Sequence, residues 1–297
     1  MRRLTRRRLL TISAALPLAA GLPALASEPS RVWRGFAMGA RVELRLAHPD
    51  GARLARMALA EIARLEEVFS LYNTDSALMR LNRAGQLDAP APELLECLAL
   101  CAAVHAASGG RFDPTVQPLW AALAEAHAAG RAPTGDEIAQ ARALIGWRGV
   151  DFSAQSVRFA RPGMALTLNG VAQGVVADRV AMLLRREGLE MGFIDTGEMQ
   201  AIGPDWPVEL KSGGALTLSD RALASSQTLG TVLDADGNQG HILSPLGKEP
   251  PTRAVSISAR SAGLADALST AACLMPDEQG ITDMVARFGG ARVEALS

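Results

Sequence analysis

Residues 166–188 read LTLNGVAQGVVADRVAMLLRREG, and the fold turns on the change of period inside this stretch. It predicts an apolar strand from Leu166, a turn through Gly170 and Gly174, and then an amphipathic helix. Val176, Val180, Leu183 and Leu184 fall at i, i+4, i+7 and i+8, which lines them along one helical face. Arg185 and Arg186 put cations in the last turn, and Gly188 supplies the left-handed stop. A strand, glycine turn and helix in that order bring free backbone N–H groups to the helix N-terminus, where they can hold an anion such as a phosphate. Two glycines four apart serve equally to let a strand and a helix pack closely, so both readings stay open on this stretch alone.

On its N-terminal side the chain is mostly helical. Residues 42–46, VELRL, alternate as a half-buried strand does. Asp50 stands where it can cap a helix whose apolar face is Leu54, Ala58, Ile62, Leu65 and Phe69. The run FSLYNTDSALMRLNRAG breaks at Asn73 and restarts as a short helix from Asp75 to Gly85. Pro90 and Pro92 mark a loop before a helix that stops at Ser108-Gly109-Gly110. RFDPTVQPL, residues 111–119, is a proline-punctuated loop leading to a helix around Trp120 to His127. Thr134-x-x-Glu137 is a capping box for a helix ending near Gly146.

On the C-terminal side the texture changes. VDFSAQSVRFA, residues 150–160, reads as a hairpin. After Gly188 come short strands, GFIDTG, MQAIG, PVELKS and ALTLS, then TVLDADGNQGHIL around a turn, then AVSISA. A helical section from about Gly263 to Phe288 precedes a last strand, ARVEAL. Helices first and strands later, without repeats, predict an α+β fold: a mixed, mainly antiparallel sheet core with a helical lobe, in one integrated domain over residues 27–297.

Residues 1–26 are set apart from that fold. Thr5-Arg6-Arg7-Arg8-Leu9-Leu10 is a twin-arginine pattern, an apolar run broken by Pro17, Gly21 and Pro23 follows, and Ala24-Leu25-Ala26 is a small-x-small cleavage site. A run so short and so broken points to a removed export signal rather than a membrane helix, and no cysteine follows it to carry a lipid. The expected location is the periplasm, without stable membrane insertion after cleavage. Removing the segment takes away Arg2, Arg3, Arg6, Arg7 and Arg8 and no acid, so the formal charge moves from −1 to −6. That balance argues against nucleic acid as a partner. Cys97, Cys101 and Cys273 sit in apolar helical runs and read as small core residues; no Cys/His group has zinc-site spacing.

Two places carry chemistry. ADALSTA, residues 265–271, puts Asp266 and Thr270 at i, i+4 on one helical face. A carboxylate and a hydroxyl are hard oxygen ligands of the kind Mg²⁺ takes while keeping waters or phosphate in its other positions. The same residues could equally cap and back-bond within their own helix. His241, in the turn-rich loop GNQGHILSPLG, is placed to act as a general base if it is exposed to a substrate.

Taken in order along the chain, these pieces resemble one family. Met38-Gly39, Phe69-Ser70-x-Tyr72, Ser76, Leu81-Asn82, Ser108 to Val116, the 166–188 stretch, Gly197-Glu198, Gly203, His241-x-x-x-Pro245-x-Gly247 and Ala265 to Thr270 together resemble the ApbE family, the Mg²⁺-dependent FAD:protein FMN transferases. The resemblance implies an ApbE-like, T-fold-related architecture and an enzyme that splits FAD and attaches its FMN half to a Thr or Ser hydroxyl of another protein, releasing AMP. The implied partner is a membrane-associated or periplasmic acceptor flavoprotein. The implied flavin and adenosine contacts are Met38, Tyr72, Gly110, Arg111, Phe112 and Asp113. Thr167, Gly170, Gln173 and Gly174 would lie along the pyrophosphate. Asp266 and Thr270, with the backbone carbonyl near Ala172, would hold Mg²⁺, and His241 would take the proton from the acceptor hydroxyl.

The chain departs from the family pattern at named positions. Thr167 stands where the family has Asp, Gln173 replaces a charged residue, Thr196 replaces the first glycine of a pair, Ser244 replaces Asp before Pro245, and Ala40 replaces Thr after Met-Gly. Two other outcomes stand beside the transferase: loss of charge at 167 and 173 favours an FAD-binding carrier that transfers nothing, whereas a metal-dependent FAD pyrophosphatase would, like the transferase, use the surviving His241, Asp266 and Thr270. The survival of His241, Asp266 and Thr270 favours the transferase.

Overall fold

The computed structural model describes residues 30–37, 39–210 and 213–297. The export signal and Met38 lie outside the described residues. A seven-stranded sheet forms the centre, built from β1 (Arg31–Ala37), β2 (Ala40–Leu46), β6 (Gly192–Asp195), β7 (Met199–Ile202), β10 (Ala222–Gln227), β11 (Ala254–Ala259) and β12 (Arg292–Leu296), in the order β1-β2-β6-β7-β10-β11-β12. Every pairing in it is antiparallel. A three-stranded sheet of β3 (Gln86–Asp88), β5 (Ser156–Phe159) and β4 (Val150–Phe152) and a hairpin of β8 (Trp206–Glu209) with β9 (Ala215–Leu218) complete the strands.

The helices Gly51–Phe69, Ala172–Arg186, Ala262–Cys273 and Glu278–Ala286 pack on the central sheet, and Gln117–Ala128 and Gly135–Ala143 pack on each other. α1 (Gly51–Phe69) buries Leu54, Ala58, Ile62, Leu65 and Phe69, the face its period predicts. Asp50 occupies its N-cap position, but its side chain makes no capping bond. α2 (Ala77–Ala84) is capped one residue later than the sequence suggests: Ser76 Oγ accepts from Met79 N, and Gly85 closes the helix at φ 71°. α3 (Pro92–Ala107), α4 (Gln117–Ala128) and α5 (Gly135–Ala143) follow, α5 with the complete Thr134/Glu137 capping box. α6 (Ala172–Arg186) and α7 (Ala262–Cys273) lie against each other, and α7 packs on β10 and β11. The final helical section is two helices, α7 and α8 (Glu278–Ala286), separated around Pro276, whose ring cannot continue a helix. Cys97, Cys101 and Cys273 are buried free thiols, and burial pushes Cys273 up to about 12. Among the described residues no helix is long and apolar enough to cross a membrane.

Three strand expectations change. Residues 166–168 are extended but belong to no sheet. Asn82 takes both backbone groups of Leu166, donating to its O and accepting from its N at 2.8 Å each, and Thr167 N donates to Pro114 O at 2.9 Å. A side chain thus does what a neighbouring strand would do. TVLDADGNQGHIL contains only one isolated bridge, Val232 to Gly240, because Asp234 turns the chain by accepting from Asn238 N and Gln239 N. β10, whose sequence ALASSQ lacks strong strand formers, is nevertheless a central strand: its small residues let α7 approach.

Candidate active site

The N-terminus of α6 meets the first turn of α7 at a contact only glycine permits. A Cβ on Gly174 would lie 2.3 Å from Ala262 O. This closeness lets Gly174 N donate to Asp266 Oδ2 at 3.2 Å. A Cβ on Gly170 would likewise come 2.8 Å from Thr270 Oγ1. The two glycines of the 166–188 stretch therefore perform both tasks the sequence left open: they allow close packing and seat the turn on the Asp266/Thr270 pair. Ser226 on β10 completes the floor, its Oγ 2.7 Å from Ser269 Oγ and 3.2 Å from Thr270 Oγ1.

Asp266 does not cap its helix; Ser261 does, accepting from Leu264 N. The Asp266 side chain is 3% exposed, with one backbone donor and no cation paired to it among the described residues. Burial pushes its pKa up to about 7, the Gly174 amide opposing and the charge of Asp178 adding. Asp178 itself, the last residue of GVVAD, is a clamp the sequence reading did not assign. Its carboxylate accepts from Ser261 Oγ at 2.6 Å, Ala262 N at 2.7 Å and Gly263 N at 2.9 Å, pinning α6 to the start of α7. The signal was present, since a short acid inside an apolar helix face needs donors from elsewhere.

The other expected site residues fall around this core. Ala172 opens α6 and is buried, its N–H bonded to Leu168 O at 2.8 Å. Gln173 rests on the β6–β7 turn: a Cβ on Gly197 would lie 2.8 Å from its amide, and Thr196 Oγ1 donates to its carbonyl at 3.0 Å. Two of the departures, 173 and 196, thus touch each other. Thr167 Oγ1 accepts from Asn169 N at 3.3 Å, and the Asn169 side chain meets the Tyr72 hydroxyl. Tyr72 is 57% exposed, a large ring left in the open beside the turn.

The 110–113 loop is more self-contained. Gly110 takes φ 80° and its N donates to His105 O. Arg111 is half-buried, and its Nη1 donates to Ser108 O. Phe112 is buried in the core, and Asp113 spends both oxygens internally, on Thr115 N and Oγ1 and on Trp147 N. Pro114 O then holds Thr167, so the loop braces the 166–170 turn.

His241 lies in the loop that returns to the end of β10, next to Gly240, on which a Cβ would meet Thr228 O. Its Nδ1 lies 3.0 Å from Thr231 O, which fixes Nδ1 as the donor and leaves Nε2 with a lone pair. Burial lowers its pKa below the ordinary histidine range, the Thr231 contact pulling the other way. The loop is seated by Leu233 and Leu243 packing on Leu119, Leu123 and Ala141 of the helical lobe, and by Arg142 donating to Ser244 O. Ser244 replaces an acid but keeps its turn role, its Oγ accepting from Leu246 N. No hydrogen bond joins His241 to Asp266 or Thr270 among the described residues; the link is the chain leaving β10, where Thr228, against Gly240, follows Ser226 by two residues.

Among the described residues, no three His, Cys, Asp or Glu side chains gather as they would around a structural zinc. A site of one carboxylate, hydroxyls and backbone groups suits a hard cation shared with a phosphate-bearing ligand.

This fold and this turn define a class. The chain belongs to the ApbE family, which it matches over residues 38–293. It is 26% identical over 274 residues to an FAD:protein FMN transferase of Vibrio cholerae, covering 83% of this chain and 82% of the relative. It is 28% identical over 256 residues to an FAD:protein FMN transferase of Chlamydia trachomatis, covering 79% and 80%. A solved ApbE protein from Thermotoga maritima superposes with a TM-score of 0.79 at 25% identity, over 90% of this chain and 96% of that one.

Proposed function

We propose that this chain is a periplasmic, Mg²⁺-dependent FAD:protein FMN transferase, exported by the twin-arginine route, that attaches FMN to a Thr or Ser hydroxyl of an acceptor flavoprotein and releases AMP. The observation that carries the reading is the seating of the glycine turn on Asp266 and Thr270. It aligns an N-terminal helix turn, a hydroxyl pair and a buried carboxylate on one spot, as a diphosphate requires. Curated relatives with the same activity over most of the chain support it.

The residues fit a divalent cation. A nearly buried carboxylate with a single amide donor is pushed up to about 7 by burial, and a cation beside it would restore its charge. Asp266 and Thr270, with the Ala172 carbonyl, would hold Mg²⁺, which would neutralise charge on the diphosphate and the departing AMP. The acceptor oxygen attacks the phosphorus on the FMN side of the diphosphate, and the bond from that phosphorus to the bridging oxygen breaks. His241 Nε2 takes the hydroxyl proton, and Thr231 holds the ring in the tautomer that permits this. Tyr72, Arg111 and the 166–174 turn orient FAD. Thr167 and Gln173 contribute hydrogen bonds but no charge, so substrate affinity rests more heavily on the cation and the backbone amides.

Intact mass tests the reading. Apo acceptor domains of membrane flavoproteins are incubated with the protein, FAD and Mg²⁺. An FMN-sized gain, absent with Asp266→Ala and His241→Ala, supports it. Tightly bound intact FAD with no gain moves the function to a carrier, the reading that the uncharged Thr167 and Gln173 favour. Free FMN and AMP with no gain indicate a pyrophosphatase.

A further inference from the structure

The sheet has a site end. Glu43 pairs with Asp195, so the start of β2 lies beside the end of β6, next to the β6–β7 turn. That turn carries Gly197 against Gln173, and β10 runs toward the same end to place Ser226 on Thr270. The outermost strand at this end is β1, and among the described residues nothing pairs with its other edge. Its inner face packs on α1, where a Cβ on Gly35 would meet Leu59 at 3.1 Å. Its outer face presents Val32, Arg34 and Phe36, opposite Arg45, Glu43 and Arg41 of β2.

This face is unusual in two ways. Phe36 is 71% exposed and Val32 44%, two large apolar side chains flanking Arg34 on the open face of an edge strand. Two of three arginines share one carboxylate: Glu43 holds Arg34 at 2.9 Å and Arg45 at 2.7 Å, while Arg41 pairs with no acid among the described residues. The surplus is positive in a chain of net charge −1.

We propose that β1 is the docking edge for the acceptor polypeptide. An extended acceptor segment adds to β1 as a further strand, its backbone bonding the free edge. Apolar side chains two apart from a central acid cover Val32 and Phe36, and the acid adds a second carboxylate to the Arg34, Arg41 and Arg45 cluster that Glu43 alone serves. The occupant is thus a strand with an apolar–acidic–apolar alternation on one face. The proposal rests on the transferase reading, which supplies the need for a protein partner at this end of the sheet.

The test is amide hydrogen exchange on the full chain with apo acceptor domains of membrane flavoproteins, run beside the intact-mass assay. The acceptor is expected to slow exchange across residues 31–37. Phe36→Asp and Arg41→Glu are expected to raise the acceptor KM about tenfold each while kcat and FAD fluorescence quenching stay unchanged. Both side chains are exposed, so neither substitution threatens folding. Transfer without protection at 31–37, or an unmoved KM, overturns the docking edge and leaves the transferase intact. Protection without a mass gain supports the edge and removes the transferase. Protection produced by anionic phosphatidylglycerol vesicles, or by raised protein concentration with no acceptor present, overturns the proposal in favour of a membrane face or a self-contact.

Discussion

Replacing Gly174 with alanine asks whether the α6–α7 contact truly sets the site. The new methyl would lie 2.3 Å from Ala262 O, 2.5 Å from Ala262 C and 2.6 Å from Gly263 N, all backbone atoms that cannot rotate away. Ordinary contact requires the helices to part by about 1 Å. Overpacking of that kind costs about 1–3 kcal/mol. The parting also breaks the 3.2 Å bond from Gly174 N to Asp266, a buried bond to an ionisable group. Its loss costs about 1.5–3 kcal/mol. The better helix propensity of alanine returns about 1 kcal/mol, so the net loss is about 1.5–5 kcal/mol. Urea unfolding followed by far-UV circular dichroism measures it, with Gly85→Ala as control. Gly85 takes φ 71° with nothing within 4 Å of a Cβ, so its cost is backbone strain alone. That cost is about 1 kcal/mol. The reasoning fails if Gly174→Ala costs no more than Gly85→Ala, or if the cost appears while transfer and Mg²⁺ dependence stay at wild-type levels.

Asp178→Ala removes three acceptor contacts from the start of α7 and should lower stability by about 2–4 kcal/mol in the same assay. Asp50→Ala, at a cap position that makes no capping bond, should change it by less than about 0.5 kcal/mol. Because burial disfavours the His241 imidazolium, its base form persists below pH 6.5. The transfer rate should therefore be flat through neutrality and fall only on the acid side of 6.5, and His241→Ala should run slower by about 10²–10⁴-fold with that limb missing. Stability from the buried neutral ring is likewise present above pH 6.5 and lost as pH falls toward the lowered value. Asp266→Asn should raise the thermal midpoint at pH 7.5 without divalent cation, since it removes a buried carboxylate raised to about 7. The same variant should lose the further rise that Mg²⁺ gives the wild-type protein.

Much of this fold is written in periodicity. The buried face of α1 and the capping box of α5 are local patterns, and local patterns survive folding when burial agrees with them. β10 and residues 166–168 escape the same reading for opposite reasons. ALASSQ is poor strand sequence made into a central strand by α7 packing over it, whereas LTL is good strand sequence whose backbone partners are a side chain on α2 and a loop carbonyl. Asp266 and Thr270 are legible as a pair because both sit on one helix. Asp178 is not, because its three donors lie 83 to 85 residues away. Thr196 and Gln173 read as separate substitutions in sequence, and only the turn of β6 into β7 shows that they bond to each other.

The order of the central sheet also governs when it can be made. Leu44 pairs with Ile194, about 150 residues later, so the β1–β2 hairpin leaves the ribosome long before its neighbour exists. At roughly 5–20 residues per second, that interval is on the order of 10–30 s, against about 1–10 μs for a hairpin to form. For all of it the hairpin has two open edges, with Val32 and Phe36 on its exposed face. Arg31, Arg34, Arg41 and Arg45 put like charges along both strands, and like charges oppose the edge-to-edge pairing of two such hairpins.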